Sequence, residues 1–198
     1  GNVADFTWES TDYKVGVEFD LTPTSLLFAS TSTGYKAGGY GDGLPPLNNK
    51  YEPEQLTAYE VGAKNRFLDN RAQLNVSAFY YDYQNQQVFA QALRNGLTVL
   101  VLDNAARSKV YGAEADLTAR PTENLSITAG LSLLNAKYGE YESDGDDFTD
   151  NRLPQSPKVT FNAAVNYTFP LASGASIVTS ADAAYSSKIY FDNSNADR

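Results

Sequence analysis

Tyr59-Glu60-Val61-Gly62-Ala63-Lys64-Asn65-Arg66-Phe67, then the short break Leu68 to Arg71, then Gln73-Leu74-Asn75-Val76-Ser77-Ala78-Phe79-Tyr80, reads as two strands joined by a tight turn. Strand side chains alternate with period two. Tyr59, Val61, Ala63 and Phe67 therefore share one face, opposite Glu60, Gly62, Lys64 and Arg66. Across the turn, Leu74, Val76, Ala78 and Tyr80 oppose Gln73, Asn75 and Ser77. Charge is confined to one face and apolar bulk to the other.

Working outward, the same division recurs. Tyr13, Val15, Val17 and Phe19 oppose Lys14, Gly16, Glu18 and Asp20; Tyr111, Ala113, Ala115 and Leu117 oppose Gly112, Glu114, Asp116 and Thr118. Leu125 to Leu133 and Val159 to Phe169 repeat it, while Ser25 to Gly34 alternates too poorly for its faces to be assigned. Eight segments result. Tight connections are expected at Leu21 to Thr24, Leu68 to Arg71, Pro121 to Asn124 and Pro170 to Gly174, and long ones at Tyr35 to Gln55, Gln84 to about Leu97 and Tyr138 to Pro157. Short and long connections alternate, as in a membrane barrel with tight turns at one rim and long loops at the other.

An antiparallel soluble sandwich predicts the same alternation. The aromatic residues favour the membrane. Phe19, Phe67 and Phe169 lie on the apolar face just before tight turns, and Tyr13, Tyr59, Tyr80, Tyr111 and Tyr185 lie on that face near the opposite ends. Tyr59 and Phe67 are separated by roughly 26 Å along a strand, close to the apolar band between the aromatic girdles of such barrels. The small residues between the rings, chiefly Ala and Val, suit lipid better than a packed core. The fold expected is all-β: an antiparallel transmembrane β-barrel wall.

Composition narrows function. The 198 residues contain no Cys, no His and no Met, which removes thiolate metal sites, the commonest general base and the usual haem ligands. Without His or Cys no familiar catalytic triad can be built, so no enzyme and no cofactor is expected. The net charge of −9 and the scatter of Lys and Arg argue against a nucleic-acid partner. Tyr141 to Asp147 offers carboxylates around Gly145 but lacks the order of an EF-hand, and a solvated acidic loop is the simpler reading. The chain starts without a signal peptide or initiator Met and stops in a polar stretch after Phe191, which predicts a portion of a longer protein. Eight strands closing a small structural or adhesive barrel, and a soluble carbohydrate-binding sandwich, stay open as rivals.

Several runs resemble one family. Leu26-Leu27-Phe28-Ala29-Ser30-Thr31-Ser32-Thr33-Gly34-Tyr35-Lys36-Ala37-Gly38-Gly39-Tyr40 is similar to the strand reading "LYASxSxGYKxGG" in TonB-dependent outer-membrane receptors. Tyr51 to Lys64 resembles that family's "PExLxxYExGxK" signature, Asn104-Ala105 with Tyr111-Gly112-Ala113-Glu114 its "NAxxxxxxGxE" stretch, and Arg152 to Pro157 a Pro-bounded approach to a later strand. The resemblance implies a partial barrel domain over residues 1–198, about eight of 22 strands and approximately strands 12 to 19, without the plug domain or TonB-box peptide. It implies a bacterial outer-membrane receptor that takes up a scarce ligand, foremost an iron–siderophore complex, energised through TonB. Receptors for vitamin B12, haem, nickel and oligosaccharides share the wall. Expected partners are the ligand, outer-membrane lipid, TonB and the protein's own plug.

Two residue sets follow. Tyr35, Lys36, Tyr40, Tyr51, Tyr83, Arg94, Tyr138 and Arg152 flank the long connections, where Tyr can stack on a chelate and Lys or Arg can pair with its negative charge. Glu60, Lys64, Arg66, Glu114 and Asp116 face the lumen, where opposite charges can pair across a ladder or meet a plug surface.

Overall fold

The computed structural model describes residues 7–40, 50–94, 96–143 and 145–196, the side chains of 91–94, 98 and 106 excepted. One antiparallel sheet runs in chain order through eight strands. They are β1 (Lys14–Thr22), β2 (Ser25–Lys36), β3 (Glu54–Phe67), β4 (Ala72–Arg94), β5 (Leu97–Thr122), β6 (Leu125–Glu140), β7 (Val159–Pro170) and β8 (Ser176–Ser186). Each strand pairs with the next, as tight turns between alternating segments require. Among the described residues β1 and β8 are edges that do not pair with each other, and no helix occurs. The sheet is an open wall. A closed eight-stranded barrel would join the edges, and a sandwich would lay a second large sheet on the apolar face; neither is present among the described residues.

The register carries the two faces across the sheet. Val17, Ala29, Val61, Ala78 and Ala113 lie on successive opposed positions, as do Glu18, Phe28, Gly62, Ser77 and Glu114 on the other face. The apolar face is uncovered: Val61 is 55% exposed, Phe67 50% and Phe19 64%. Tyr59, Tyr80 and Tyr111 form one row of rings, with centroids 6.5 and 6.4 Å apart between neighbours.

This register also settles β2. Leu26 and Phe28 occupy the polar face there, which is why the segment alternates poorly. Phe28 lies over Gly62, where a Cβ would come within 2.5 Å of both the Phe28 ring and the Val76 carbonyl oxygen. Gly112 repeats the device beneath Phe79, with the Leu133 carbonyl oxygen 2.3 Å from where its Cβ would sit. These glycines accommodate an aromatic ring from the adjacent strand.

Arg71 fastens the rim of tight turns. Its backbone N–H and Nε donate to the Leu68 carbonyl at 3.1 and 3.0 Å, and Nη1 reaches the Pro121 carbonyl of the next turn at 2.9 Å. The preceding Leu68, Asp69 and Asn70 all have positive φ, a conformation that Asp and Asn tolerate better than Leu.

The connection expected from Gln84 to Leu97 is not a loop. β4 and β5 continue as a projecting ribbon in which Gln86 to Arg94 pair with Leu97 to Ala105, and Gly96 turns at φ +78°. The connections Tyr35 to Gln55 and Tyr138 to Pro157 are long as expected, and each carries a small ribbon. Gly39–Tyr40 pairs with Lys50–Tyr51, and Glu142–Ser143 with Asp146–Asp147.

Candidate functional site

The long connections and the β4–β5 ribbon meet at one end of the wall. Asn104 is their latch. Its Oδ1 accepts from the Glu52 N–H at 2.7 Å, and its Nδ2 donates to the carbonyls of Glu52 at 3.1 Å and Asn85 at 2.7 Å. Gln87 adds a second tie: its backbone N–H donates to Glu54 Oε2 at 2.8 Å, and its Nε2 to the carbonyls of Ala37 and Glu52. The β2–β3 connection is thereby fixed to the ribbon.

The β6–β7 connection is held by a small core. Tyr138, Tyr141, Val88 and Ala105 are buried together, with Phe148 and Leu153 packed on them. Ring centroids are 4.9 Å apart for Tyr138 and Tyr141, and 5.3 Å for Tyr141 and Phe148. Burial raises both tyrosine hydroxyls above their ordinary pKa, because the phenolate would lose its hydration. Asn193, from the segment after β8, clamps the cluster. Its Oδ1 accepts from the Tyr138 hydroxyl at 2.8 Å, its Nδ2 donates to the Phe89 carbonyl at 2.9 Å, and its carbonyl accepts from Asn151 Nδ2 at 2.9 Å. Ser143 Oγ bonds Asp103 Oδ2 at 2.7 Å and closes the loop onto the ribbon.

The rim residues expected from the sequence separate by face. Lys36, opposite Glu54, and Tyr83, opposite Leu56, continue the polar face. Lys36 is exposed, whereas Tyr83 is half-buried, with its hydroxyl pKa raised first by burial and then by the Glu54 charge. Tyr51 lies across Gly39, where a Cβ would meet its hydroxyl at 2.6 Å, and Tyr40 on the same ribbon is exposed. Tyr35, opposite Gln55, continues the apolar face and keeps its hydroxyl enclosed without a hydrogen-bond partner among the described residues. Tyr138 is enclosed at 1% exposure, since the loop folds down over it. Arg152 is engaged too: Nη1 donates to the Lys188 carbonyl at 3.3 Å, Nη2 to that of Ser156, and the guanidinium lies 5.5 Å from the Tyr190 ring centre. The side chain of Arg94 lies outside the described residues. Sequence reading passed over Asn104 as a latch and missed Gln87 and Asn193 altogether. The Asn104-Ala105 motif was the available signal, with Asn104 tying the ribbon and Ala105 fully buried beneath it.

The polar-face set is placed as the alternation required. Glu60, Lys64, Arg66, Glu114 and Asp116 lie on one face of β3 and β5. The expected pairing across the ladder does not occur: among the described residues no ion pair joins these five. Their rung partners are neutral, Lys64 and Asp116 both meeting Asn75, Arg66 meeting Gln73, and Glu114 accepting from Ser132 Oγ at 3.3 Å. Two polar depressions open on this face toward the tight turns. One of about 430 Å³ includes Arg71, Asp116 and Arg120, and one of about 250 Å³ includes Asp20, Lys64 and Arg66. The acidic stretch Tyr141 to Asp147 brings no group of three metal-binding side chains together among the described residues, with Asp144 outside them. Asp147 instead accepts from the Thr149 N–H at 2.8 Å.

Residues 2–198 match the family model for the β-barrel of TonB-dependent receptor-like proteins. The chain is 26% identical to a probable TonB-dependent siderophore receptor, PiuA, of Acinetobacter baumannii, over 92% of this chain and 25% of that protein. It is 28% identical to the metal-pseudopaline receptor CntO of Pseudomonas aeruginosa, over 62% of this chain and 18% of that one. The crystal structure of PiuA superposes with a TM-score of 0.69, covering 93% of this chain and 27% of that structure. The ferric yersiniabactin uptake receptor FyuA of Yersinia pestis, 18% identical, shares the fold with a TM-score of 0.72 over 92% of this chain and 26% of that structure. The chain thus spans about a quarter of the length of PiuA. With its unbroken antiparallel wall, two-faced strands and welded long-connection rim, the chain belongs to the TonB-dependent receptor family, as part of the β-barrel domain.

Proposed function

We propose that this wall belongs to an outer-membrane receptor for a chelated metal, foremost an iron–siderophore complex, imported with energy that TonB delivers through a plug domain. The observation that carries the reading is the rim, where Asn104, Gln87 and Asn193 bind three long connections into one unit directly above the polar face. A hydrogen-bonded, Tyr-bearing border suits a planar or aromatic chelate, since ordering of the connections that are tied together precedes the ligand. Lys36, Tyr40, Tyr51 and Tyr83, together with Arg94 at the ribbon tip, are the proposed ligand contacts; Tyr138 and Arg152 shape the border. The unpaired charges Glu60, Lys64, Arg66, Glu114 and Asp116 then meet the plug, and the uncovered apolar face meets lipid. Placement at about strands 12 to 19 of 22 goes with this reading.

Uptake of radiolabelled ferric siderophore by cells carrying the full receptor tests it. Replacing Lys36, Tyr40 and Tyr83 together by Ala should cut uptake at least about tenfold, the loss of roughly one good charged or stacking contact. Barrel assembly should be unchanged, because these side chains carry none of the ladder's backbone hydrogen bonds. Full uptake by the triple variant would remove this rim from the ligand site.

A further inference from the structure

At the rim of tight turns the polar face ends on two arginines. The β4–β5 ladder closes with Ala72 opposite Ala119, and one step further the Arg120 N–H donates to the Arg71 carbonyl at 2.6 Å. Arg71 and Arg120 therefore stand directly opposed, on the face that carries Gln73 and Thr118. Like charges so placed destabilise a ladder. The neutral carbonyls of Leu68 and Pro121 hold Arg71 in position through Nε and Nη1, and leave Nη2 without a partner among the described residues. Both guanidiniums border the depression of about 430 Å³, together with the amides of Gln73 and Asn75 and the Thr118 hydroxyl. The carboxylate that borders it, Asp116, lies four residues back along β5 from Arg120, roughly 13 Å at the rise of a strand. Asp69 and Glu123 belong to the tight turns, and among the described residues no ion pair joins Asp69, Asp116 or Glu123 to either arginine. The adjoining depression shares Gln73 and sets Lys64 and Arg66 against Asp20. In a chain of net charge −9, both hollows at this mouth carry an excess of positive charge.

We infer that Arg71 and Arg120 form a carboxylate-binding site at the tight-turn mouth of the lumen, occupied by a carboxylate-bearing chelate as it leaves; this rests on the receptor reading above and narrows its substrate class. A guanidinium presents its N–H donors as a planar fork that matches both oxygens of a carboxylate. An anion between the two opposed forks offsets their repulsion, while Gln73, Asn75 and Thr118 supply neutral partners for the rest of a polar chelate. The site lies at the opposite end of the polar face from Lys36 and Tyr83. A ligand released from the outer rim thus meets it last.

The full receptor, purified in detergent, is dialysed to equilibrium against radiolabelled citrate as the probe, and against citrate triamide, which lacks the charge. The wild type should bind citrate saturably and the triamide far less. Arg71 also fastens the turns, so Arg120 is the residue replaced. R120Q should weaken citrate binding about five- to tenfold, and R120K, which keeps the charge without the fork, should fall between. D116N removes the nearest bordering carboxylate and should tighten it. K36A/Y40A/Y83A, altered at the outer rim, should bind citrate as the wild type does. On whole cells, R120Q should bind ferric siderophore normally and import it at least about threefold more slowly. Heat-modifiable gel migration reports folding of each variant separately. Citrate binding that R120Q leaves unchanged, or that D116N fails to tighten, overturns the assignment. So does a wild type that binds no citrate while R120Q admits a large antibiotic, since the pair then serves a carboxylate of the plug. Wild-type cells that import no ferric siderophore would overturn the receptor reading itself, whereas normal import with citrate binding indifferent to R120Q would overturn this inference alone.

Discussion

The wall and the rim hold themselves together by opposite means. In the wall, Val17, Val61 and Phe67 remain uncovered, and order comes from backbone ladders and from opposed side chains one rung apart. In the rim, Tyr138 and Tyr141 are almost fully enclosed, and polar side chains such as Asn104 and Asn193 bond backbone groups far away in sequence. The wall needs an apolar solvent and tolerates changes of shape on that face; the rim is a miniature water-facing core and does not. The same alternating sequence thus serves a surface that lipid completes and a platform that completes itself.

Truncation of the rim core should show the largest difference. Tyr138→Ala removes an enclosed ring and the hydroxyl that bonds Asn193, at a cost of ~3–5 kcal/mol by comparison with other aromatic truncations. Val61→Ala on the lipid side should stay within about 0.5 kcal/mol. Hydrogen exchange should show lost protection through residues 138–153 in the first variant and none in the second. Equal effects would erase the distinction between the two regions.

The wall has its own sensitive points on the polar face. Gly62→Ala would drive a Cβ against the Val76 carbonyl and the Phe28 ring, and overpacking of this kind costs ~1–3 kcal/mol. Because one obstacle is backbone, adding Phe28→Ala should restore only part of the loss in denaturant unfolding. Full restoration would show that the ring alone dictates the glycine.

Asn104→Ala should be milder, about 1–2 kcal/mol for a latch at the solvent edge. Its effect should be confined to exchange protection around Glu52 and Asn85. Spread of that loss into β3 would mean that rim and wall are coupled more tightly than their contacts indicate.

The smallest effect concerns Asp82, whose carboxyl is held below the ordinary range first by its hydrogen bond to Arg107. A depressed carboxylate contributes stability above its unfolded pKa, about 3.9, and loses it as pH falls through the lower folded value. D82N should therefore lose that contribution, under about 1 kcal/mol for an exposed pair, at neutral pH in denaturant unfolding, and converge with the wild type as pH falls below the folded pKa, which flattens the acid limb.

Much of the wall was legible because membrane strands write their faces into alternate residues. Tyr59 to Phe67, its tight turn, and the row of Tyr59, Tyr80 and Tyr111 lie where the period-two pattern placed them. β2 was not legible, since Leu26 and Phe28 lie on the polar face and Phe28 fills space that Gly62 leaves on a neighbouring strand, and one strand does not reveal its neighbour's vacancies. The β4–β5 ribbon was mistaken for a loop because Gln84 to Gln87 read as polar linker. Asn95-Gly96 was the overlooked sign, the commonest two-residue hairpin signal. The rim was least legible: Tyr138 and Asn193 meet across 55 residues, and neither lies in a local pattern that marks it.

If the sheet divides two solvents, one face meets lipid and the other an aqueous lumen. These 198 residues contain no cysteine, so single spin labels can be placed along β5 without a competing thiol from this part of the wall. In the full receptor reconstituted in bilayers, labels at residues 111–118 should alternate: high oxygen and low nickel-chelate accessibility at 111, 113, 115 and 117, lower oxygen accessibility at 112, 114, 116 and 118. Uniform accessibility along the strand, or the inverse phase, would contradict it.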